Sequence, residues 1–186
     1  MRVAVIGSSG SGKTTLARSL GEALGAPVIE LDAINWQAGW RDLMTDDRET
    51  FRDRIAAAVA GDRWVTDGNY SRVAFPLILP RATDLIWLDY GRAVIMKRVI
   101  TRSFVRAASG AELWPGTGNR EEFKKWMDRE HPIRWAWDTF DERRKAFSAL
   151  FESLQDRPIR LHRLRIPREA RALVDRFATE AAPSTS

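Results

Sequence analysis

The sequence predicts a three-layer α/β/α fold on a five-stranded parallel sheet, with a helical, arginine-rich lid. Three observations predict it. Strand-like and helix-like segments alternate along most of the 186 residues, the pattern of parallel βαβ units whose ligands sit at the carboxyl ends of the strands. A glycine-rich loop follows the first strand and opens a helix. Beyond the fourth strand, residues 92–106 carry five cations and no acid.

Met1 to Ile6 reads as a short buried strand and Gly7 to Gly12 as a loop. Leu16, Leu20, Ala23 and Leu24 then recur at helical spacing over Lys13 to Leu24, and Gly25-Ala26-Pro27 stops that helix. Val28 to Leu31 is the second strand, ending at Asp32. From Thr45, Phe51, Ile55, Ala58 and Val59 mark a helix that Gly61-Asp62 terminates. Arg63 to Thr66 is the third strand, with Asp67 at its carboxyl end; Asp84 to Asp89 is the fourth, and Gly91 to Arg106 the helix after it.

A glycine-rich stretch from Ser109 to Asn119 precedes two helical segments, about Arg120 to Arg129 and Ile133 to Leu154. In the second, Ile133, Trp137, Phe140, Phe147, Phe151 and Leu154 form one stripe, expected to be a single packing face. Pro158 to Leu164 is the fifth strand and Pro167 opens a last helix. Residues 1–180 are thus expected to form one domain with its lid at about 98–135, and 181–186 a disordered tail.

Composition excludes several chemistries. With no Cys and two His, a disulfide framework, a thiol nucleophile and a thiolate or His-rich zinc site are ruled out or improbable, so any metal is a hard, oxygen-bound cation. No apolar run approaches the roughly 18 residues of a membrane span, and a cytoplasmic location is expected. Of 30 cationic residues, 25 are Arg. Residues 1–90 carry 10 cations against 12 acids, so the net charge of +5 comes from the second half, which is expected to favour anions.

Gly7-Ser8-Ser9-Gly10-Ser11-Gly12-Lys13-Thr14 fits the phosphate-binding pattern of Gly, four residues and Gly-Lys-Ser/Thr, between the required strand and helix. Glycines let backbone N–H groups turn inward onto phosphate oxygens, and the helix N-terminus adds its dipole. Gly7, Ser8, Ser9, Gly10, Ser11, Gly12, Lys13, Thr14 and Thr15 are therefore expected to bind ATP, Lys13 to reach the β- and γ-phosphates, and Thr14 to place its hydroxyl on Mg²⁺. The fold expected is that of a P-loop NTPase.

Gly7 to Thr14, Leu31-Asp32, Trp36, Gly39-Trp40, Trp64 to Tyr70, Leu88-Asp89, the Arg-rich helix, Glu112-Leu113-Trp114 and Ile133 to Trp137 together resemble the adenylate-kinase-like P-loop proteins labelled topology modulation proteins. Those are similar to nucleoside monophosphate and shikimate kinases. The resemblance implies that Asp67 holds an Mg²⁺-bound water. It also implies that Asp67-Gly68-Asn69-Tyr70 replaces the Asp-Gly-Phe-Pro-Arg segment of adenylate kinases, so that the arginine gripping an acceptor phosphate is missing and Arg72 stands one residue later.

Asp32 is a candidate to orient an acceptor hydroxyl or accept its proton, with an Mg²⁺-water contact equally consistent. Trp36, Asn69, Tyr70, Arg72 and Arg134 are the further acceptor candidates. By the same resemblance Arg98 lies over the base and Arg102 stabilises the transferring phosphoryl, while Arg165 borders the base. The function expected is an ATP- and Mg²⁺-dependent phosphotransferase. A nucleoside monophosphate leads as acceptor and a shikimate- or gluconate-like hydroxyl compound is second. An NTP-dependent regulator or nucleic-acid-associated ATPase is the rival class. Nucleic acid is the less favoured partner, no membrane is expected, and oligomeric state is left open.

Overall fold

The computed structural model describes residues 1–109, 112–120 and 132–181. Strands β1 (Arg2–Gly7), β2 (Val28–Glu30), β3 (Trp64–Asp67), β4 (Asp84–Leu88) and β5 (Arg160–Leu164) form one parallel sheet in the order β2-β3-β1-β4-β5. The register sets Val5 opposite Asp67, Gly7 opposite Leu88, and Leu88 opposite Leu164. The carboxyl ends of β3, β1 and β4 thus lie side by side, which puts the glycine-rich loop and Asp67 on one edge.

Alternation along β1 divides the core in two. Val3 and Val5 pack with Leu16 and Leu20 of α1 (Lys13–Leu24), Val99 of the later helix 92–109, and Leu173 and Phe177 near the C-terminus. Ala4 and Ile6 face the other way, onto Phe51, Ile55, Trp64, Trp87 and Phe147. The helices after α1 are α2 (Leu31–Asn35), α3 (Leu43–Asp46), α4 (Arg48–Ala58), α5 (Phe75–Ile78), α6 (Arg92–Ser109), α7 (Pro132–Asp138), α8 (Phe140–Ser153) and α9 (Pro167–Ala181).

Local chemistry accounts for several ends. Gly25 closes α1 in the left-handed region at φ 55°, and the Ala26 N–H reaches back to the Gly21 carbonyl. Asp47 caps α4 by accepting from the Thr50 N–H at 3.1 Å.

Three expectations change. The second strand stops at Glu30, because Leu31 turns into the core, fully buried, and starts α2; Asp32 therefore sits in the first turn of a helix. Trp36–Gln37 then pairs antiparallel with Arg41–Asp42 in a small hairpin. The segment from Ile133 to Leu154 breaks at Thr139 into α7 and α8. Ile133 and Phe140 pack on the Val3 side of the sheet, whereas Phe147, Phe151 and Leu154 pack on the Ile6 side. Trp137 is 52% exposed under the Arg92 guanidinium, so the stripe is two packing faces and not one.

The segment expected to be helical at 121–129 and the tail beyond Ala181 lie outside the described residues. No helix among the described residues is long and apolar enough to cross a membrane.

At the amino end of the sheet, fully buried Asp84 holds the edge strand. It accepts from Thr83 Oγ1 at 2.8 Å, meets Arg160 Nε at 2.8 Å and faces His162 Nε2 at 2.8 Å. Burial pushes its carboxyl up, but the bonds from His162, Arg160 and Thr83 outweigh this and hold it below the usual carboxylate range. The folded-state pKa is depressed, so this stabilisation is full above the unfolded value and fades as pH falls through the folded one. Asp84→Asn is expected to cost about 3 kcal/mol near neutral pH. In urea titrations from pH 7 to 3 the gap to the parent protein should narrow on acidification; a constant gap would contradict this account.

Candidate active site

The loop from Gly7 to Gly12 is shaped by what crowds it. At Gly10, with φ 80°, a Cβ would lie 3.0 Å from Val99 Cβ and 3.1 Å from the Ile95 carbonyl oxygen, so only glycine lets α6 come this close. Asn69 clamps the start of the loop: its Nδ2 donates to the Gly7 carbonyl at 2.6 Å and its Oδ1 accepts from the Gly7 N–H at 3.2 Å. Both ends of the amide are engaged by backbone, which makes Asn69 a strut of the phosphate loop instead of an acceptor ligand. Gly68 permits the approach, since a Cβ there would lie 2.7 Å from Leu31 Cβ.

At the head of α1, Thr14 Oγ1 donates to Asp67 Oδ2 at 2.5 Å. Burial pushes the Asp67 carboxyl above its usual range, against the pull of Lys13 and of the Thr14 bond. Enclosure draws the Lys13 ammonium below the usual lysine range, opposed by Asp67 and Asp32 and assisted by Arg102 and Arg143. A hydroxyl beside a buried carboxylate is a hard-oxygen donor set that fits Mg²⁺. Among the described residues no cluster of three or more His, Cys, Asp or Glu could hold a metal alone. Thr14 and Asp67 therefore fit an ion brought in with phosphate.

Beyond Lys13 lies a second charged group. Tyr70 donates its hydroxyl to Asp32 Oδ1 at 2.6 Å, and burial together with Asp32 pushes the phenol's pKa up, so it stays a donor. Arg143, on α8, has its pKa lowered by burial, against the carboxylates of Asp32 and Glu142, which raise it. Its guanidinium stands 5.3 Å over the Trp135 ring, and among the described residues it makes no ion pair.

The sequence pointed instead to Arg134 and Arg72. Arg134 commits its Nε to Asp138 one helical turn away, at 2.7 Å, and Arg72 is exposed with no described contact to this group. Arg143 was findable only through the break at Thr139, which sets the direction of α8.

Two arginines of α6 do reach the phosphate loop. Arg98 Nη1 donates to the Ser11 carbonyl at 2.7 Å with its guanidinium 5.2 Å over the Tyr90 ring, and Arg102 Nη2 donates to Ser9 Oγ at 3.2 Å. Both line an open cleft of about 720 Å³ whose far wall includes Pro167. Arg165 is exposed on the same turn.

The segment 112–120 is latched to the hairpin after α2. Asn119, 2% exposed, donates from Nδ2 to the Gln37 carbonyl at 3.0 Å and accepts from the Trp40 N–H at 3.0 Å. Trp114 stacks on Trp36 with centroids 6.3 Å apart and meets Trp40 edge-on at 6.1 Å. Trp36 is thus one wall of a three-tryptophan cluster that Trp114 of the segment 112–120 completes.

No family model matches the chain. A shikimate kinase of Mycobacterium marinum (strain ATCC BAA-535 / M) is 28% identical over 142 residues, covering 71% of this chain and 74% of that one. Among solved structures, a shikimate kinase from Bacteroides thetaiotaomicron aligns at a TM-score of 0.58 with 16% identity, over 97% of each chain. A gluconokinase from Sinorhizobium meliloti 1021 aligns at 0.51 with 20% identity, over 96% of this chain and 94% of that one. The fold is that of a P-loop kinase of the shikimate- and gluconate-kinase type.

The latch can be tested at one amide. Asn119→Ala removes the acceptor of the Trp40 N–H, so hydrogen exchange at Trp40 should accelerate about tenfold. Exchange in β1 should not change. Unaltered exchange at Trp40 would show that Asn119 does not hold the two segments together.

Proposed function

We propose that the chain transfers the γ-phosphoryl group of ATP to a hydroxyl of a small anionic acceptor. The observation that carries the reading is the group Asp32, Tyr70 and Arg143 beside Lys13: a carboxylate and a guanidinium without an ion-pair partner among the described residues, next to a phosphate loop. Mg²⁺ bound with the nucleotide supplies charge neutralisation on the phosphates. Thr14 and Asp67 are the residues to hold it, Thr14 directly and Asp67 through water.

Asp32 orients the acceptor hydroxyl and takes its proton, and the Tyr70 hydroxyl fixes which carboxylate oxygen is left for that task. Arg143 pairs with an anionic group of the acceptor, which compensates its own burial. Lys13 and Arg102 stabilise charge on the phosphoryl in flight, Arg98 lies at the base cleft, and Arg165 borders it. Trp36 and Trp114 roof the acceptor and exclude water, which separates transfer from hydrolysis.

A hydroxyl compound fits better than the nucleoside monophosphate that the resemblance to adenylate-kinase-like and topology modulation proteins puts first. A monophosphate needs several cations around its phosphate, whereas Arg134 is paired with Asp138 and Arg72 is exposed. Relatives named as shikimate kinases and a gluconokinase support the same choice. The rival ATPase reading has no comparable feature, and Arg144, Arg160 and Arg163 of the basic second half are engaged with internal carboxylates.

The test is ADP release from Mg²⁺-ATP across hydroxy acids, sugar acids, nucleoside monophosphates and nucleic acids. Turnover is expected only with a small hydroxyl acceptor, and Lys13→Ala should lower kcat on the order of a hundredfold. Arg143→Ala should raise the acceptor KM roughly tenfold to a hundredfold, the loss of one charged hydrogen bond, with the ATP KM within about twofold. ADP formation that ignores acceptors and responds to nucleic acid would sink the kinase reading.

A further inference from the structure

The hairpin between α2 and α3 brings a second carboxylate, Asp42, to the acceptor side of the site. Asp42 stands opposite Trp36 in the antiparallel ladder, so both side chains leave the hairpin on one face. Arg41 leaves on the opposite face and lies 4.0 Å from Asp46, which takes the nearest cation in the chain away from Asp42.

Asp42 also directly precedes α3, where a carboxylate ordinarily accepts N–H groups of the first turn. It does not do so here, because buried Asn35 takes the Met44 N–H on its own Oδ1 at 2.8 Å. Asp42 Oδ2 accepts from Thr45 Oγ1 at 3.1 Å, while Oδ1 is shut off from solvent with no hydrogen-bond partner. A buried carboxylate oxygen left in that state is costly unless a ligand answers it.

The acceptor group lies beside it. Tyr70 donates its hydroxyl to Asp32; burial, then Asp32 and then Asp42 push the phenol's pKa up, and Arg143 pulls it down. Two carboxylates and one guanidinium thus surround one phenol. A hydroxyl at Asp42 would fill the hydrogen bond but leave the second negative charge without a counterpart, whereas an ammonium supplies both. Trp36, on the face that carries Asp42, clusters with Trp40 and Trp114, and indole rings attract an ammonium as well.

We propose that Asp42 binds an ammonium group on the acceptor, so that the acceptor is a hydroxy amino acid: its hydroxyl meets Asp32, its carboxylate Arg143, and its ammonium Asp42 beside Trp36. This rests on the kinase reading above and narrows the class of compound that its acceptor site takes.

The test compares ADP release from Mg²⁺-ATP for hydroxy acids paired with and without an amino group: L-homoserine with 4-hydroxybutyrate, L-serine with 3-hydroxypropionate, and glucosaminate with gluconate. At least one amino-bearing member should be turned over, with kcat/KM about tenfold or more above that of its counterpart. Asp42→Asn keeps the size of the side chain and an oxygen for Thr45 but removes the charge. In it the KM of the amino-bearing acceptor should rise roughly tenfold to a hundredfold, with the ATP KM within about twofold.

Equal or better turnover of the amino-free member in every pair would overturn the proposal, as would an Asp42→Asn protein that keeps the parent's preference. Should Asp42→Asn also lose ATP binding, its fold is lost and the pairs in the parent protein decide alone. Failure of the kinase reading looks different: no member of any pair would raise ADP release above the acceptor-free rate, and the proposal would fall with it.

Discussion

The backbone turn from β1 into α1 is held from three other elements at once, and the site cannot form without it. Asn69, after β3, grips both backbone groups of Gly7. Asp67, at the end of β3, accepts from Thr14 at the head of α1. Arg98 and Arg102 come down from α6 onto Ser11 and Ser9. These contacts are a consequence of strand order. Because β3 and β4 flank β1 in parallel, the segment leaving each of them is delivered to the same edge, and a loop that must present its N–H groups inward is braced through its carbonyls and side chains.

Charge in the second half is organised in a similar way. Along the chain the arginine excess reads as a demand for external anions, but part of it is answered inside the protein. Asp89, 4% exposed, accepts from both Arg144 and Arg163, and Asp84 from Arg160. Arg92, in the acid-free helix, pairs across to Asp141 of α8. Lys13, Arg98, Arg102 and Arg143 are the cations gathered at the phosphate loop and around Asp32. A buried carboxylate with two guanidiniums fixes geometry more than it adds net stability. Part of the excess therefore serves to place strands and helices.

How far the site was legible in the sequence depends on the range of the interactions. The phosphate loop is a local motif, with strand, glycines, Lys13 and helix all within the first 24 residues, and it reads directly. Arg98 and Arg102 read nearly as well, since their spacing on one helix survives folding. Asn69 and Arg143 did not read. Asn69 looked like an acceptor ligand because its position comes just after Asp67, and its engagement with Gly7, 62 residues away, is tertiary. Arg143 depends on a one-residue break at Thr139 that no glycine or proline announces. The continuous apolar stripe across that break suggested one helix, because two faces packed on opposite sides of the sheet leave the same periodicity as one.

Beyond that break, α8 is tied to the turn after β5 through a single carboxylate, Asp89. Arg143 is adjacent to Arg144, whose guanidinium is fixed on Asp89 at 2.7 Å. The other oxygen of Asp89 holds Arg163, two residues before Arg165 and the turn that leads into α9, and the Asp89 N–H donates to the Leu164 carbonyl at 2.8 Å. One buried carboxylate at the end of β4 thus ties α8, beside Arg143, to the end of β5, before Arg165. A shift of α8 that moved Arg143 towards an acceptor would have to pull on Arg144, and through Asp89 on β5. Because Arg163 also lies 4.3 Å over the Trp87 ring, which packs against Phe147 and Phe151 of α8, the charged link and the apolar link resist the same displacement. The geometry therefore favours a rigid α8, with Arg143 held in its position relative to β4 and β5.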